Sequence, residues 1–359
     1  MNPGKVFYAV LNMGLGHATR SLPIIKEFIN KNWQLLIGSN GRSLEFLKKE
    51  LPTTKFIVTP DYGISYSQSN FLFFKLIPQI SRIFRKIREE KQLCDKIVAE
   101  FSPDLVISDH CYGMYHSNIQ NYFLSHQIYF AIPQPFQFLS PLISRFNHSF
   151  HRKYHKVIIP DLPENGNGLL SGRLSNTPSV QGKYYYAGIL SSIRKQVPNE
   201  QVDLLVSISG PEPQRTIFEK IILKQINRIS GKKIVVLGKS EKDEIIVYED
   251  DLKVYSHLPR CDMEKLFNQA ELIITRPGYS TLMELSELGK IALLVPTPGQ
   301  TEQQYLANRM AEKGWFYFVD QKHLNLVRDI EIAKTYGGLF KPDSTQMTID
   351  YLFKNIFKV

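Results

Sequence analysis

A glycine-rich segment followed by a histidine comes just after the first apolar run of the sequence. Gly14 and Gly16 flank a leucine, and His17 follows them at the start of a helical stretch. Glycines let a ligand approach the backbone closely, and N–H groups at a helix start attract anions. A neutral imidazole here can accept the proton of a hydroxyl group near neutral pH. We predict that these glycines form a loop that binds a phosphate or the molecule whose hydroxyl group reacts, with His17 as the base. The alternative is a tight turn without a ligand.

Asp109 is the second residue of this half with a candidate chemical role. It closes the apolar run 104–108, which has the composition of a buried strand. The carboxyl ends of parallel strands share one edge of the sheet, where the ligands of such sheets bind. There the Asp109 carboxylate can orient and polarise His17 as a base, so both are candidate catalytic residues. The alternative is a carboxylate that caps the following helix.

The strongest pattern lies in the C-terminal half, where an apolar run is again followed by a glycine turn and a helix. Gly278, Ser280 and Thr281 stand at the start of that helix. Their amides and hydroxyls can surround a diphosphate at the positive end of the helix dipole. Glu284 lies one turn further along, where a carboxylate can accept hydrogen bonds from a ribose diol.

Two glutamines follow the next apolar run and complete this pattern. The side-chain amides of Gln303 and Gln304 both donate and accept hydrogen bonds, which suits the hydroxyl groups of a sugar. Together these residues suit a ligand that carries phosphates and hydroxyl groups, bound within residues 271–309. An ordinary strand–helix unit with polar surface residues is the alternative for the segment.

Apolar runs alternate with helical stretches along both halves, which predicts parallel sheets built from strand–helix–strand crossovers. One predicted strand of the first half covers residues 127–132. A stretch rich in Pro, Gly, Asn and Ser separates the halves and is typical of a link. Asp343 and Ser344 can cap a final amphipathic helix, which can pack back on the first domain. The predicted N-terminal domain, linker, C-terminal domain and final helix cover residues 1–160, 161–183, 184–345 and 346–359.

The length and composition are those of a globular protein with two domains. The chain has 359 residues, of which 43% are hydrophobic and 22% are charged. This is enough apolar surface for two packed cores, and it excludes a largely disordered chain. No apolar run reaches the roughly 18 residues that span a bilayer, and the N-terminus lacks the pattern of a cleavable signal. We therefore expect a cytoplasmic protein.

Metal and redox chemistry are not expected from this sequence. The three cysteines are too few and too far apart for a disulfide framework or a paired zinc motif. His148, His151 and His155 have a spacing that would put them on one helical face, but no acid or cysteine stands nearby to complete a metal site. We expect a basic helix there, and we predict neither a metal nor a cofactor.

The C-terminal pattern resembles that of a known family. Residues 271–309 are similar to the nucleotide-binding segment of the sugar-nucleotide-dependent glycosyltransferases of family 28, which have the GT-B fold. Gly14 to His17 resembles the glycine-rich loop of the same family. The likeness of the C-terminal segment rests on Arg276, Gly278, Ser280-Thr281, Glu284-Leu285, Gly289, Pro296, Gln303-Gln304 and Ala307-Asn308.

The resemblance implies a fold and an activity. The fold is α/β, with two Rossmann-like doubly wound parallel-sheet domains that face each other across a cleft. The first domain would bind an acceptor and the second a nucleotide sugar. The activity is the inverting transfer of a hexose from a nucleotide-diphosphate sugar, in particular a UDP-sugar, to an acceptor hydroxyl. Members of the family are not strictly dependent on a metal.

The resemblance also assigns roles to single residues. The loop after the strand at 202–208 contains fewer glycines than its counterpart in the family, which leaves its phosphate role open. The implied donor-binding residues are Ser209 and Gly210 beside the diphosphate, Leu258 at the uracil of the nucleotide, Arg276 near the phosphates, Ser280 and Thr281 on the diphosphate, Glu284 on the ribose, and Gln303 and Gln304 on the hexose.

The charge of the chain favours anionic partners. Forty-four Lys and Arg against 34 Asp and Glu give a formal net charge of +10. Residues 71–88 mix aromatic, aliphatic and basic side chains, a composition that can lie on an anionic membrane, although a core-packed helix with a basic outer face is the alternative. The expected partners are a nucleotide-diphosphate sugar, a glycan or lipid-linked acceptor, and an anionic membrane at its inner face, but no nucleic acid.

Three other functions remain open at this stage. A sugar-nucleotide 2-epimerase has the same two-domain architecture and needs no acceptor. A nucleic-acid-binding protein would explain the positive charge, but the basic residues are scattered and no known module appears. A sugar-nucleotide binder without catalytic activity would keep the donor site and lose the role of His17.

Overall fold

The structure is a computed structural model that describes residues 4–63, 80–177, 182–239, 245–249, 251–339 and 344–359. The described residues divide into two compact units, which are treated separately below. Unit 1 contains the described residues up to Ser192 together with 344–359, and unit 2 contains those from Ile193 to 339. None of the described helices is long and apolar enough to cross a membrane.

Unit 1 is built on a parallel sheet of seven strands in the order β3-β2-β1-β4-β5-β6-β9. The chain starts in the middle of the sheet, proceeds outward through β2 to β3, and returns to pair β4 with the other side of β1. The switch point of this doubly wound sheet therefore lies between β1 and β4. The strands are β1 (Lys5–Val10), β2 (Gln34–Ser39), β3 (Lys55–Val58), β4 (Leu105–Asp109), β5 (Gln120–Leu124), β6 (Lys156–Ile159) and β9 (Tyr184–Tyr186).

Helices cover this sheet and account for the apolar character of its strands. The residues from Val6 to Val10 of β1 are all buried, as expected for a parallel strand that is covered on both faces. A small antiparallel pair, β7 (Pro163–Glu164) and β8 (Asn167–Gly168), lies outside the sheet. The helices of this part are α1 (Gly16–Asn30), α2 (Gly41–Glu50), α3 (Ile80–Phe101) and α4 (Ser140–His151), with short 3-10 turns at Gln134–Leu139 and Arg173–Ser175.

Two sequence-based expectations for unit 1 need correction. The strand expected at 127–132 is instead β5, at Gln120–Leu124, because the amides of Ile128 and Tyr129 donate to the carbonyl of Leu174 rather than to a neighbouring strand. The described residues of the stretch expected to link the domains, 161–183, belong to unit 1.

A buried carboxylate explains why this turn-rich stretch is folded into unit 1. Asp161 is fully buried, and it accepts hydrogen bonds from the backbone amides of Leu162, Leu170 and Ser171 at 2.8, 3.1 and 2.8 Å. The chain between Leu162 and Ser171 therefore turns around Asp161. Composition alone does not distinguish such turns from a flexible link.

Unit 2 repeats the architecture with the strand order β12-β13-β11-β10-β14-β15-β16. Each neighbouring pair is parallel except the edge strand β12, which is antiparallel to β13. The first strand, β10, lies in the middle of the sheet, and the chain returns to pair β14 with its other side. The switch point therefore lies between β10 and β14. The strands are β10 (Val202–Ser207), β11 (Lys233–Val236), β12 (Ile245–Glu249), β13 (Leu252–Tyr255), β14 (Ala270–Thr275), β15 (Ile291–Leu294) and β16 (Tyr317–Phe318).

The helices of unit 2 connect these strands and pack on the sheet. Phe218 and Ile222 are buried with the strand residues in one apolar core. The helices are α5 (Gln214–Gln225), α6 (Arg260–Gln269), α7 (Tyr279–Leu288), α8 (Thr301–Glu312) and α9 (Leu326–Lys334), with short 3-10 turns at Ile226–Arg228 and Gln321–His323. The prediction of two doubly wound parallel α/β sheets is confirmed, with the antiparallel β12 as an addition.

The C-terminal segment belongs to unit 1. Helix α10 (Thr345–Tyr351) continues into a π-helical turn at Leu352–Phe357, and the side chain of Ser344 caps it by accepting from the amide of Met347. Asp343, the other predicted cap, lies outside the described residues. The Phe353 ring packs on Phe28 of α1, with the two ring centroids 4.6 Å apart.

Candidate active site

The first candidate site lies at the switch point of unit 1. Gly14, with a positive φ of 74°, turns the chain after β1, and α1 begins two residues later at Gly16. His17 therefore lies in the first turn of α1, next to the carboxyl end of β4. Its Nδ1 is 2.7 Å from Oδ1 of Asp109. The structure thus brings together the two residues that the sequence offers as a catalytic pair.

Asp109 is fully buried and is not a helix cap. Its Oδ2 accepts hydrogen bonds from Arg20 Nε and Ser21 Oγ, both at 2.8 Å, and its Oδ1 accepts from a second nitrogen of Arg20. Burial on its own would raise the pKa of Asp109, but the Arg20 guanidinium and His17 together hold that pKa well below its usual range. The carboxylate is therefore ionised and fixed in place.

His17 has the protonation state that a base requires. Burial and the nearby Arg20 guanidinium lower the pKa of its imidazole, and Asp109 opposes them only in part, so the ring is neutral at neutral pH. Because Nδ1 faces the carboxylate, we assign the proton to Nδ1, which leaves a lone pair on Nε2. Within the described part of the chain, Nε2 has no hydrogen-bond partner. It can accept the proton of a substrate hydroxyl.

The structure adds three residues to this site that the sequence analysis missed. Arg20 contacts both His17 and Asp109, and another of its nitrogens lies 2.8 Å from Nδ1 of His126, which follows β5. His110 has a positive φ of 63°, and its ring centroid is 5.4 Å from that of His17. The i, i+3 spacing of His17 and Arg20 could have indicated that the two side chains lie on one helix face. No feature of the sequence indicated the left-handed backbone of His110.

Neither histidine group of unit 1 has the character of a metal site. His17, Asp109 and His110 offer ligand atoms within 4.8 Å of one another, but the Arg20 guanidinium already holds the carboxylate and repels a second cation. Helix α4 ends at His151, so His155 does not share its face. The Nδ1 of His155 instead accepts from the amide of Asn121 at 3.0 Å.

The second candidate site lies at the switch point of unit 2. Gly278 precedes the first residue of α7, has extended backbone angles, and provides no side chain to cap the helix. Ser280 and Thr281 lie in the first turn and are partly buried. A helix start of this kind favours an anion, because its first amides have no acceptor within the helix and the helix dipole is positive there.

Glu284 lies one turn further along α7 and is buried. Its carboxylate forms an ion pair with Arg260, the first residue of α6. Leu258 stands two residues before Arg260, in the loop that joins β13 to α6 at the same edge of the sheet. Glu284 and Leu258 were predicted from the sequence as donor-binding residues, whereas Arg260 was not.

Arg276 is a buried arginine that directly follows β14. Its side chain is only 1% exposed and lies over the ring of Phe218. Its guanidinium donates to the carbonyls of Val295 and Pro296 at 2.9 and 3.1 Å, and to Oε1 of Gln321 at 2.5 Å. These contacts hold the guanidinium against the loop after β15. The predicted position of Arg276 near the donor phosphates stays a prediction.

The remaining predicted donor residues lie in the loop after β10 and in the first turn of α8, at the same edge of this sheet. Gly210, which follows Ser209 after β10, has a positive φ of 112°, and a Cβ placed on it would be 3.5 Å from Oγ1 of Thr297. The amide of Thr297 donates to Oε1 of Gln303 at 2.8 Å, so that oxygen is partly engaged, while the NH₂ group of Gln303 can donate to a sugar. Gln304 is partly buried in the first turn of α8.

Comparisons with known proteins agree with this architecture. The model of the glycosyltransferase family 28 C-terminal domain matches residues 215–336, and that of glycosyl transferase family 1 matches residues 4–122. A solved structure, the glycotransferase of kitacinnamycin, is similar with a TM-score of 0.63 at 12% identity, and the match covers 98% of both chains. This structure supports the fold.

Two relatives with curated names are similar in sequence. A Methanosarcina mazei protein, described as an uncharacterized glycosyltransferase, is 25% identical over 333 residues, which cover 87% of this chain and 84% of the relative. A UDP-N-acetylglucosamine–N-acetylmuramyl-(pentapeptide) pyrophosphoryl-undecaprenol N-acetylglucosamine transferase of Finegoldia magna is 32% identical over 141 residues, which cover 35% of this chain and 38% of the relative.

The two sheets and these matches define the class of the protein: it is a glycosyltransferase with the GT-B fold. The part of unit 2 that contains Gly278, Glu284 and Gln303 resembles the C-terminal domain of glycosyltransferase family 28, whose model matches it.

Proposed function

We propose that the protein transfers a hexose from a UDP-sugar to an acceptor hydroxyl with inversion at the anomeric carbon. The observation that carries this proposal is the 2.7 Å contact between His17 Nδ1 and Asp109 Oδ1, which leaves Nε2 of a neutral imidazole for the substrate. A base of this kind is what an acceptor hydroxyl requires, and a hydroxyl group is a poor nucleophile until its proton is removed.

The reaction is a single displacement. Nε2 of His17 takes the proton of the acceptor hydroxyl while the hydroxyl oxygen forms a bond to the anomeric carbon of the donor. The bond from that carbon to the diphosphate oxygen breaks, and the diphosphate leaves with the electron pair. Asp109 stabilises the imidazolium that results. One displacement at one carbon inverts its configuration.

Unit 2 would bind the donor. The start of α7 at Gly278, Ser280 and Thr281 provides the positive end of a helix dipole for the departing diphosphate, which is the group on which negative charge develops. Glu284 accepts hydrogen bonds from the ribose hydroxyls. The NH₂ group of Gln303 donates to the hexose.

The printed name of the Finegoldia magna relative supports a UDP-sugar and a lipid-linked acceptor. That protein transfers N-acetylglucosamine from its UDP derivative to an undecaprenol-linked molecule, as its name states. The matched residues cover only 38% of it, so the donor and the acceptor of the present chain are proposals that need direct tests.

A thermal-shift screen tests the donor. Sugars activated by uridine, thymidine and guanosine diphosphate are compared, with uridine monophosphate as the control ligand. We expect a UDP-sugar to raise the unfolding temperature, because a ligand at a hundredfold excess over its Kd stabilises the folded state by about 2.7 kcal/mol. A response only to a thymidine or guanosine diphosphate sugar would show that the donor carries another nucleobase. No response to any of these sugars would contradict the proposal. Product analysis without an acceptor separates transfer from 2-epimerisation.

We also propose peripheral contact of unit 1 with an anionic membrane. The part of the predicted basic segment at 71–79 lies outside the described residues. In α3, Arg82, Arg85 and Arg88 are exposed at every third position. Phe84 among them is 47% exposed, and its ring packs edge-on against Phe146 of α4. Basic and aromatic side chains together are typical of surfaces that bind anionic lipid.

Vesicle flotation tests the membrane contact. We expect recovery with vesicles that contain phosphatidylglycerol and none with phosphatidylcholine alone. Charge reversal at Arg82, Arg85 and Arg88 should weaken binding by at least about 10²-fold, since the loss of the three positive charges alone removes about 1 kcal/mol each. Reversal of the exposed Lys48 and Lys49 of α2 is the matched control. Equal recovery of the triple variant and the control would rule out this surface.

A further inference from the structure

Arg20 is a buried cation in the centre of the unit 1 site, and the mechanism above does not use it. Its side chain is 2% exposed. The guanidinium donates to Asp109 through Nε at 2.8 Å and through a second nitrogen, which also lies 2.9 Å from Nδ1 of His17. A third nitrogen is 2.8 Å from Nδ1 of His126. One side chain thus contacts both members of the proposed catalytic pair.

These contacts have consequences for the chemistry of His17. A carboxylate next to a histidine normally favours the charged imidazolium, which cannot act as a base. Here the carboxylate of Asp109 also faces a permanent positive charge, and that charge lies against the imidazole itself. Arg20 therefore opposes the protonation of His17 in two ways. It weakens the stabilisation that Asp109 gives to the imidazolium form of His17, and its own positive charge repels that of the imidazolium.

We propose that Arg20 is a positioning residue that keeps His17 in its base-competent, neutral form while it holds Asp109 in place for the Nδ1 hydrogen bond. This inference rests on the proposed function, in which His17 is the base. The groups that face His17 are Arg20 on its own helix, Asp109 and His110 at the end of β4, and His126 after β5. Tyr8 of β1 lies near Asp109 and Arg20.

The test is the pH dependence of kcat/KM for Arg20→Met against the wild type. Without the cation, Asp109 stabilises the imidazolium fully, so the pKa of His17 rises and the base form is lost at a higher pH. We expect the acid limb of the profile to move up by about one unit. Activity at pH values below that limb would then fall about tenfold relative to the wild type, while activity on the alkaline plateau falls less.

Two further variants make the result specific. Arg20→Lys retains the positive charge but has one nitrogen in place of the three of the guanidinium. The acid limb of its pH profile should therefore stay close to that of the wild type. Arg152→Met, at an exposed arginine after α4, is the matched control and should change nothing. A purely structural role of Arg20 would lower kcat/KM by the same factor at every pH, and that outcome would overturn the inference.

A second measurement is independent of the folding of Arg20→Met. An NMR titration of the wild-type histidines should give His17 a pKa below the ordinary value of about 6.5, because Arg20 and burial both oppose its charge. A value above that range would overturn the inference even if His17 is the base. If instead His17→Ala retains full activity, the proposed function fails, and the two failures are thereby distinguished.

Discussion

The His17→Ala variant is expected to lose glycosyl transfer by roughly 10²–10⁴-fold in kcat while its donor affinity stays unchanged, because general base catalysis contributes a factor of that size. The methyl group cannot accept the proton of the acceptor hydroxyl, and the donor residues lie in unit 2. Initial rates with a saturating donor, together with calorimetric binding of the donor, measure the two effects separately.

The control for this variant is His323→Ala, at an exposed histidine of unit 2 whose backbone alone takes part in the hydrogen bonds of its turn. It should retain wild-type kinetics. Asp109→Asn should also lower kcat, since it removes the charge that fixes the tautomer of His17. A His17→Ala protein with activity within a few-fold of the wild type would show that the base is another residue.

The Glu284→Ala variant is expected to bind the nucleotide-sugar donor about 10- to 100-fold more weakly. Hydrogen bonds to a charged group contribute about 1.5–3 kcal/mol, and the ribose would lose those of the carboxylate. The variant also leaves Arg260 without its carboxylate partner in a largely buried place, so part of the loss can come from the loop before α6.

Three comparisons separate these contributions. Glu284→Gln retains the shape and one acceptor oxygen, and it should bind the donor with intermediate affinity. Arg260→Met disturbs the ion pair but leaves the carboxylate, so a donor affinity close to the wild type would assign the effect to the ribose contact. Glu271→Ala, at the amino end of β14 on the opposite edge of the sheet, is the matched control. Undiminished donor binding by Glu284→Ala would contradict the proposed donor site.

The fold could be predicted to a large extent from local sequence patterns. Buried parallel strands are continuous apolar runs, and β1 and β14 stand out because nearly all of their residues are buried. The errors occurred where a local pattern permits two outcomes. Within 127–132, the amides of Ile128 and Tyr129 donate to the carbonyl of Leu174, and the part of 161–183 between Leu162 and Ser171 turns around the carboxylate of Asp161.

The location of the candidate sites could be predicted from the sequence, but the side-chain contacts within them could not. The carboxyl ends of parallel strands meet at one edge, so the sequence offered His17 and Asp109 as a pair beside the alternative of a helix cap, and the two side chains are in contact. Nothing in the sequence indicated that Arg276 would be enclosed by carbonyl groups. A basic residue near a glycine turn has the same local sequence whether it faces a phosphate or the interior.

The sequence by itself determined the two parallel sheets and the residue types that stand at their carboxyl ends, because the hydrophobic pattern of each strand is local. Only the tertiary structure decided which charges are paired. Arg20 and Asp109 are 89 residues apart, and Arg260 and Glu284 are 24 apart. A buried charge must find an opposite charge among the groups that the fold brings within reach, and that set is defined only when the strands are assembled.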